Sequence, residues 1–320
     1  MKKFIVGGLL LIVIIIAAGL SYLKLGLPNV GAPEDIKITA TPEMIARGKY
    51  LANHVAVCID CHSTRDWSRF SGPPLSGTEG KGGDIFSRDF GFPGNFYAKN
   101  ITPAGIGHWT DGELLRVIST GVNKDGKAIF PVMPYHNYGR MAKEDLLAII
   151  AYIRTLPSIA NQVPDAEIDF PMSFIINTIP AKADFQPLPL KEKTIDYGAY
   201  LVNAAGCIEC HTNVEKGKRI PGMDFAGGRI FDMPGKRIVS SNITPDKETG
   251  IGYWTEEAFI AKFKSFADTS KLQQYNDSED YQSIMPWSMY AGMDSSDLSA
   301  MYAYLKTLKP ISNKVVANPN

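Results

Sequence analysis

Apolar and polar positions follow three different rhythms along this chain. The first is an unbroken apolar run. After Met1-Lys2-Lys3 comes "FIVGGLLLIVIIIAAGLSYL", uncharged from Phe4 to Leu23. About 20 such residues, rising about 1.5 Å each, cross a bilayer's hydrocarbon layer, so residues 1–27 are expected to be a transmembrane anchor. A cleaved signal has a shorter apolar core; Ala17-Ala18-Gly19 is a weak site for that alternative. Both readings export everything after Leu27, and the lysines in front keep Met1 cytoplasmic. The second rhythm is helical spacing. It runs through "PEMIARGKYLANHV" and "KEDLLAIIAYIRTLP" in the first half, and "TIDYGAYLVNAA" and "SSDLSAMYAYLKTLKP" in the second. Thr110 to Glu113 has capping-box form before another helical pattern. The third is loss of rhythm. Ser71–Asn100 is glycine-rich and reads as loop, while residues 158–193 hold five prolines, at 164, 171, 180, 187 and 189. Proline at that density predicts a linker. Its apolar core, "FPMSFIINTIP", is expected to pack between the flanking domains.

Those domains are expected because the chain repeats itself. "YLANHVAVCIDCH" from Tyr50 matches "YLVNAAGCIECH" from Tyr200, and "NITPAGIGHWT" from Asn100 matches "NITPDKETGIGYWT" from Asn242. "VMPYHNYG" matches "IMPWSMYAG", and "AYIRTLP" matches "AYLKTLKP", all in one order. Ordered blocks predict a duplicated, mainly α domain, at 41–157 and again at 194–312. Gly105, Gly107, Gly250 and Gly252 read as turn residues, and Trp109 and Trp254 as core aromatics with a hydrogen-bond partner.

Composition narrows the field. The chain has 320 residues, long enough for two domains, and is 45% hydrophobic and 21% charged, as globular proteins are. Its 33 basic and 33 acidic residues balance, which gives no electrostatic reason to expect nucleic acid.

The four cysteines all lie in Cys-x-x-Cys-His: Cys58, Cys61, His62 and Cys207, Cys210, His211. A disulfide would close a very small loop, and a thioredoxin-like site would need a βαβ surround. Paired zinc knuckles lie much closer together in sequence. Cys-x-x-Cys-His is instead the attachment signature of c-type haem: both thiols bond one porphyrin, and the histidine becomes the proximal iron ligand. Two covalently bound haems are expected. Of five histidines, His54, His108 and His136 face Ala204, Tyr253 and Ser288 in the other copy, so no sixth ligand is common to both sites. Methionine offers one. Met133 and Met285 correspond, 71 and 74 residues after their histidines and each before a proline. Met289 and Met293 are rivals at the second site, and Met233 has no counterpart. Histidine–methionine ligation fills the iron and raises its potential, which suits electron transfer. A less favoured reading is a dihaem peroxidase, needing an open iron beside an acid–base group; His136 is the nearest candidate.

These motifs resemble the repeated domain of membrane-associated multihaem c-type cytochromes, among them the cytochrome c subunits of bacterial alcohol, aldehyde and gluconate dehydrogenases. The resemblance spans residues 41–311 outside the linker. It implies haem on the four cysteines, and axial methionine in Met-Pro-Tyr, here Met133, with "MPW" at Met285 departing slightly. Those subunits typically carry three such domains, against two here. The expected protein is a non-catalytic, membrane-anchored dihaem cytochrome c facing the periplasm of a bacterial inner membrane; the alternative is the cytochrome c subunit of a membrane-bound substrate dehydrogenase complex, with the chemistry on another chain. Its expected partners are a redox donor and acceptor: a dehydrogenase, a quinol-oxidising complex or a terminal oxidase.

Overall fold

The apolar run forms α1 (Lys2–Ser21), extended by a π-helical turn at Tyr22–Gly26. This comes from a computed structural model, which describes residues 2–233, 236–274 and 282–316. The 24-residue stretch Lys3–Gly26 is long and apolar enough to cross a membrane and is wholly exposed.

In the first half, α2 (Pro42–Tyr50) starts on Thr41, whose hydroxyl accepts from Met44 N, with Pro42 in the first turn, where a missing N–H costs nothing. It runs through a π-helical turn into α3 (Cys58–Cys61). The stretch read as loop carries two short strands, β1 (Ile85–Phe86) and β2 (Gly94–Tyr97), before α4 (Pro103–Ile106). The capping box is made: Glu113 N donates to the Thr110 hydroxyl, and Thr110 N to the Glu113 carboxylate, at the start of α5 (Asp111–Thr120). Then come α6 (Tyr135–Tyr138) and α7 (Lys143–Ile153). The linker is not featureless: β3 (Glu167–Ile168) pairs antiparallel with β2, giving the order β1-β2-β3, and α8 (Met172–Ile175) follows.

The second half runs α9 (Thr194–Ala204), α10 (Cys207–Cys210), the hairpins β4 (Val214–Glu215) with β5 (Lys218–Arg219) and β6 (Ile230–Met233) with β7 (Lys236–Val239), α11 (Glu256–Lys264), α12 (Trp287–Tyr290) and α13 (Ser295–Thr307). The protein is mainly helical.

In each half the first and last helices cross at a glycine. A Cβ on Gly48 would lie 1.8 Å from the Ala148 carbonyl oxygen, and one on Gly198 1.9 Å from that of Ala300. Glycine inside a helix costs about 1 kcal/mol against alanine; here it permits backbone-to-backbone approach. One apolar core joins both halves, including Leu51, Leu146 and Ile149 with Leu201, Met293 and Leu298. The contact is reciprocal. Tyr50 donates to the buried Asp297 at 2.7 Å, and Tyr200 to the buried Asp145 at 2.6 Å. Asn203 and Asn137 donate to each other's carbonyls.

The apolar linker core lies against the end of α1, where Asn177 Nδ2 donates to the Leu23 carbonyl and Lys24 sits over the Phe174 ring. The later linker touches both halves, through Asp184 N on the Gly139 carbonyl and Lys191 on Asp297.

Candidate functional site

Each Cys-x-x-Cys-His segment is one helical turn with the histidine at its C-cap. The residue before the first cysteine is left-handed: Val57 at φ 46° and Gly206 at φ 64°. This reverses the chain sharply after the preceding helix. Spacing of three residues puts both thiols on one side of the turn. All four thiols are unpaired, three of them half-buried and Cys210 exposed. Burial pushes the Cys58 and Cys207 thiols up to about 12, so neither behaves as a reactive thiolate.

The histidines are oriented by backbone. His62 Nδ1 lies 2.6 Å from the Lys99 carbonyl and His211 Nδ1 2.7 Å from that of Ser241. A carbonyl only accepts, so Nδ1 carries the proton and Nε2 keeps its lone pair. Burial lowers both imidazole pKa values, the carbonyl bond opposing it, and favours the neutral, ligating ring. The loop behind is held alike in both halves. Gly82 N donates to the His62 carbonyl and Gly227 N to that of His211, at 2.8 and 2.7 Å. Both glycines are left-handed, with backbone atoms within 2.6 Å of any added Cβ.

The Asn-Ile-Thr-Pro blocks finish this frame. Asn100 Oδ1 accepts from the backbone and hydroxyl of Thr102, while its Nδ2 donates to the Ile159 carbonyl. Asn242 repeats this with Thr244 and Ile311. Each block therefore ties the histidine's carbonyl partner to the chain leaving the last helix of its half.

Met133 and Met285 are half-buried and sit in matching turns. Their carbonyls accept from Tyr135 N at 2.7 Å and Trp287 N at 2.8 Å, across Pro134 (φ −77°, ψ 58°) and Pro286 (φ −77°, ψ 65°). These are inverse γ-turns, which the fixed φ of proline favours. A turn further on, the buried Tyr138 and Tyr290 donate to the Ala56 and Ala205 carbonyls, two residues before the first cysteine. Each methionine segment is thus tied to its own cysteine turn. Sequence reasoning missed these tyrosines, although their repetition in "PYHNYG" and "PWSMYAG" was the available signal.

The rivals fit less well. Met289 and Met293 are buried in the apolar core, and Met233 lies in β6, its Pro234 outside the described residues. His108 and His136 are exposed, and His54 is engaged with the Met289 carbonyl at 2.9 Å. Trp109 packs against the core as expected, but Trp254 is 38% exposed and stands outside the core cluster.

The two sites adjoin. Ser71, buried in the loop after the first site, donates to the Met285 carbonyl and accepts from Trp287 N. Gln282 fastens the same loop by accepting from Ser71 N at 2.7 Å and donating to the Arg69 carbonyl. On the other side, a Cβ on Gly206 would meet Pro134 at 3.7 Å.

Residues 195–309 match the cytochrome c family model, so the chain carries a cytochrome c domain over that range. It is similar to the cytochrome c subunit of a quinone-dependent alcohol dehydrogenase from Gluconobacter oxydans: 30% identical over 295 residues, covering 85% of this chain and 56% of that subunit. The cytochrome c subunit of gluconate 2-dehydrogenase from Pantoea cypripedii is 27% identical over 287 residues, covering 84% and 60%. A dihaem c-type cytochrome from Cereibacter sphaeroides is 28% identical over 265 residues, covering 77% and 81%. The chain spans little more than half the length of the dehydrogenase subunits it matches.

A cytochrome c domain implies covalently bound haem. The residues present fit it: paired protonated thiols on one side of a turn, and a neutral histidine with its Nε2 free. Among the described residues, no cluster of three or more histidine, cysteine or acidic side chains offers a metal site of zinc type.

Proposed function

We propose that this protein is a membrane-anchored, periplasmic dihaem cytochrome c that passes electrons between redox partners. In this reading residues 41–157 and 194–312 are two tandem cytochrome c domains joined by residues 158–193. Cys58 and Cys61 hold one haem, with His62 and Met133 axial; Cys207 and Cys210 hold the other, with His211 and Met285 axial. The bound iron supplies a reversible one-electron couple. The chain's own residues fill both axial positions, fix each imidazole through a carbonyl, and bring the two sites together across a buried interface.

One observation carries the reading. The hydrogen bonds orienting His62, bracing its loop and tying the Met133 segment recur one for one around His211 and Met285. A frame built to hold a ligand histidine twice supports two haems. The named relatives favour a dehydrogenase as electron donor, with a quinol-oxidising complex or terminal oxidase as the other redox partner. The peroxidase alternative gains nothing: His136 is exposed, its ring tilted against that of Tyr135, with serine at its counterpart.

The deciding measurement is haem stoichiometry by pyridine haemochrome with the near-infrared methionine–iron band. Two haems per chain, both with that band, are expected. One haem, or a high-spin iron in the resting protein, overturns the assignment. Met133→Ala is expected to keep both haems and lose half the band.

A further inference from the structure

The apolar linker core ends up in an unexpected place. Between Asp169 and Lys182 the chain has no charged residue, and Asp169 itself is paired with Arg88 at 2.6 Å. Phe170 is 80% exposed and Ile175 43%, while neighbouring Ile176 is buried. Folding leaves two large apolar side chains in water at one spot, and that spot adjoins the exit of α1. Asn177 Nδ2 donates to the Leu23 carbonyl at 3.1 Å, and Lys24 Nζ lies 5.6 Å from the Phe174 ring centroid. Around the same exit, Tyr22 is 63% exposed and Leu25 88%.

The span Lys3–Gly26 is about 36 Å long at about 1.5 Å per residue, slightly more than a hydrocarbon layer of about 30 Å. Its last turn therefore lies at the level of the lipid headgroups. Tyrosine collects at that depth, as Tyr22 does here, and exposed Phe and aliphatic side chains of interfacial segments insert just below it. A contact to Leu23 and Lys24 fixes Phe170–Ile179 at the same depth.

We propose that Phe170–Ile179 is a second, interfacial membrane contact, seating Phe170 and Ile175 in the headgroup region of the bilayer that α1 crosses. The occupant of this exposed patch is lipid. The inference rests on α1 being a retained membrane anchor. Its consequence is orientational. One helix leaves a body free to swivel, whereas a second contact beside it, tied through β3 to the first-half sheet, holds one face toward the membrane.

The test uses the haem-loaded full chain in liposomes, with a nitroxide at Phe170→Cys or at Ile12→Cys. Because the native cysteines carry haem in the proposed protein, each introduced thiol is unique. Collisions with oxygen, which partitions into lipid, are compared with collisions with a water-soluble nickel chelate. Oxygen is expected to exceed the chelate at both positions, by the larger factor at Ile12. If the chelate dominates at Phe170 while Ile12 remains deep, the interfacial contact is wrong and the anchor stands. Chelate dominance at both positions overturns the anchor and the contact together. Unchanged haem spectra verify folding, and Phe170 is exposed enough to tolerate the change.

Discussion

Beside the first cysteine pair stands a buried acid; beside the second, at the matching position, a half-exposed one. Asp60 is 2% exposed, and its counter-charge among the described residues, Arg65, is shared with Asp84 at 3.3 and 3.6 Å. Burial pushes the Asp60 carboxyl up to about 6 in spite of Arg65, and one of its oxygens has no hydrogen-bond partner. Glu209 instead pairs with Arg219 at 2.6 Å, both side chains open to solvent. The hydrogen-bond frame around the two histidines is nevertheless the same. The frame that fixes ligand geometry has been kept, and the charge around it has diverged. Charge and burial are what tune a haem's potential.

The comparison is broken most severely where the halves are most alike. Gly48→Ala and Gly198→Ala each drive a methyl into a facing carbonyl, at 1.8 and 1.9 Å. Overpacking of this kind costs about 3 kcal/mol, and each is expected to lose that much or more in thermal unfolding of the holoprotein. A collapse in one variant only would show that the helix crossings are not equivalent. The interface acids should then separate the halves. Asp145 holds Arg47 bidentately and Tyr200, whereas Asp297 holds Tyr50 and Tyr197, with Lys191 only at 3.5 Å. Asp145→Asn strands a partly buried guanidinium and is expected to cost about 3 kcal/mol. Asp297→Asn weakens charge-assisted hydrogen bonds and is expected to cost about 1–2 kcal/mol. Denaturant titration of both variants distinguishes them; equal costs would mean that Arg47 contributes nothing.

What could be read in advance follows the same division. The cysteine turns, the repeat, the α1 run and the Thr110 capping box were all legible, because each is written in local side-chain type and spacing. The partners of the histidines were not, since Lys99 and Ser241 act through backbone carbonyls that any residue supplies. Nor were Ser71 and Gln282, whose contacts cross more than 200 positions and join halves that the repeat alone treats as separate. The place of the linker core was hidden for a related reason: its apolarity is local, but its bond to the end of α1 spans 154 positions.

A smaller effect tests the chain reversal before each cysteine turn. Valine at positive φ is strained by about 1–3 kcal/mol, and glycine is not. Val57 bears that strain, and Gly206 occupies the equivalent position without it. A Cβ at Gly206 has room, with Pro134 at 3.7 Å, so Gly206→Val isolates the backbone term. It is expected to cost about 1–2 kcal/mol. Val57→Gly relieves strain but gives up a half-buried side chain and stiffens nothing, so its net change is expected within about 0.5 kcal/mol. Thermal melts of the two variants check the asymmetry.

The smallest effect bears most directly on function. In the proposed dihaem protein Asp60 lies between the two cysteines that would hold the first haem, where a buried carboxylate would favour ferric over ferrous iron. Asp60→Asn removes that charge, leaves Arg65 with Asp84, and is expected to raise the first potential by an amount on the order of tens of millivolts. Glu209→Gln is expected to move the second potential by less, because its charge is already paired and screened by water. Spectroelectrochemical titration, with Met133→Ala identifying the first haem, reads both shifts. Larger movement at the second site would place the tuning charge elsewhere.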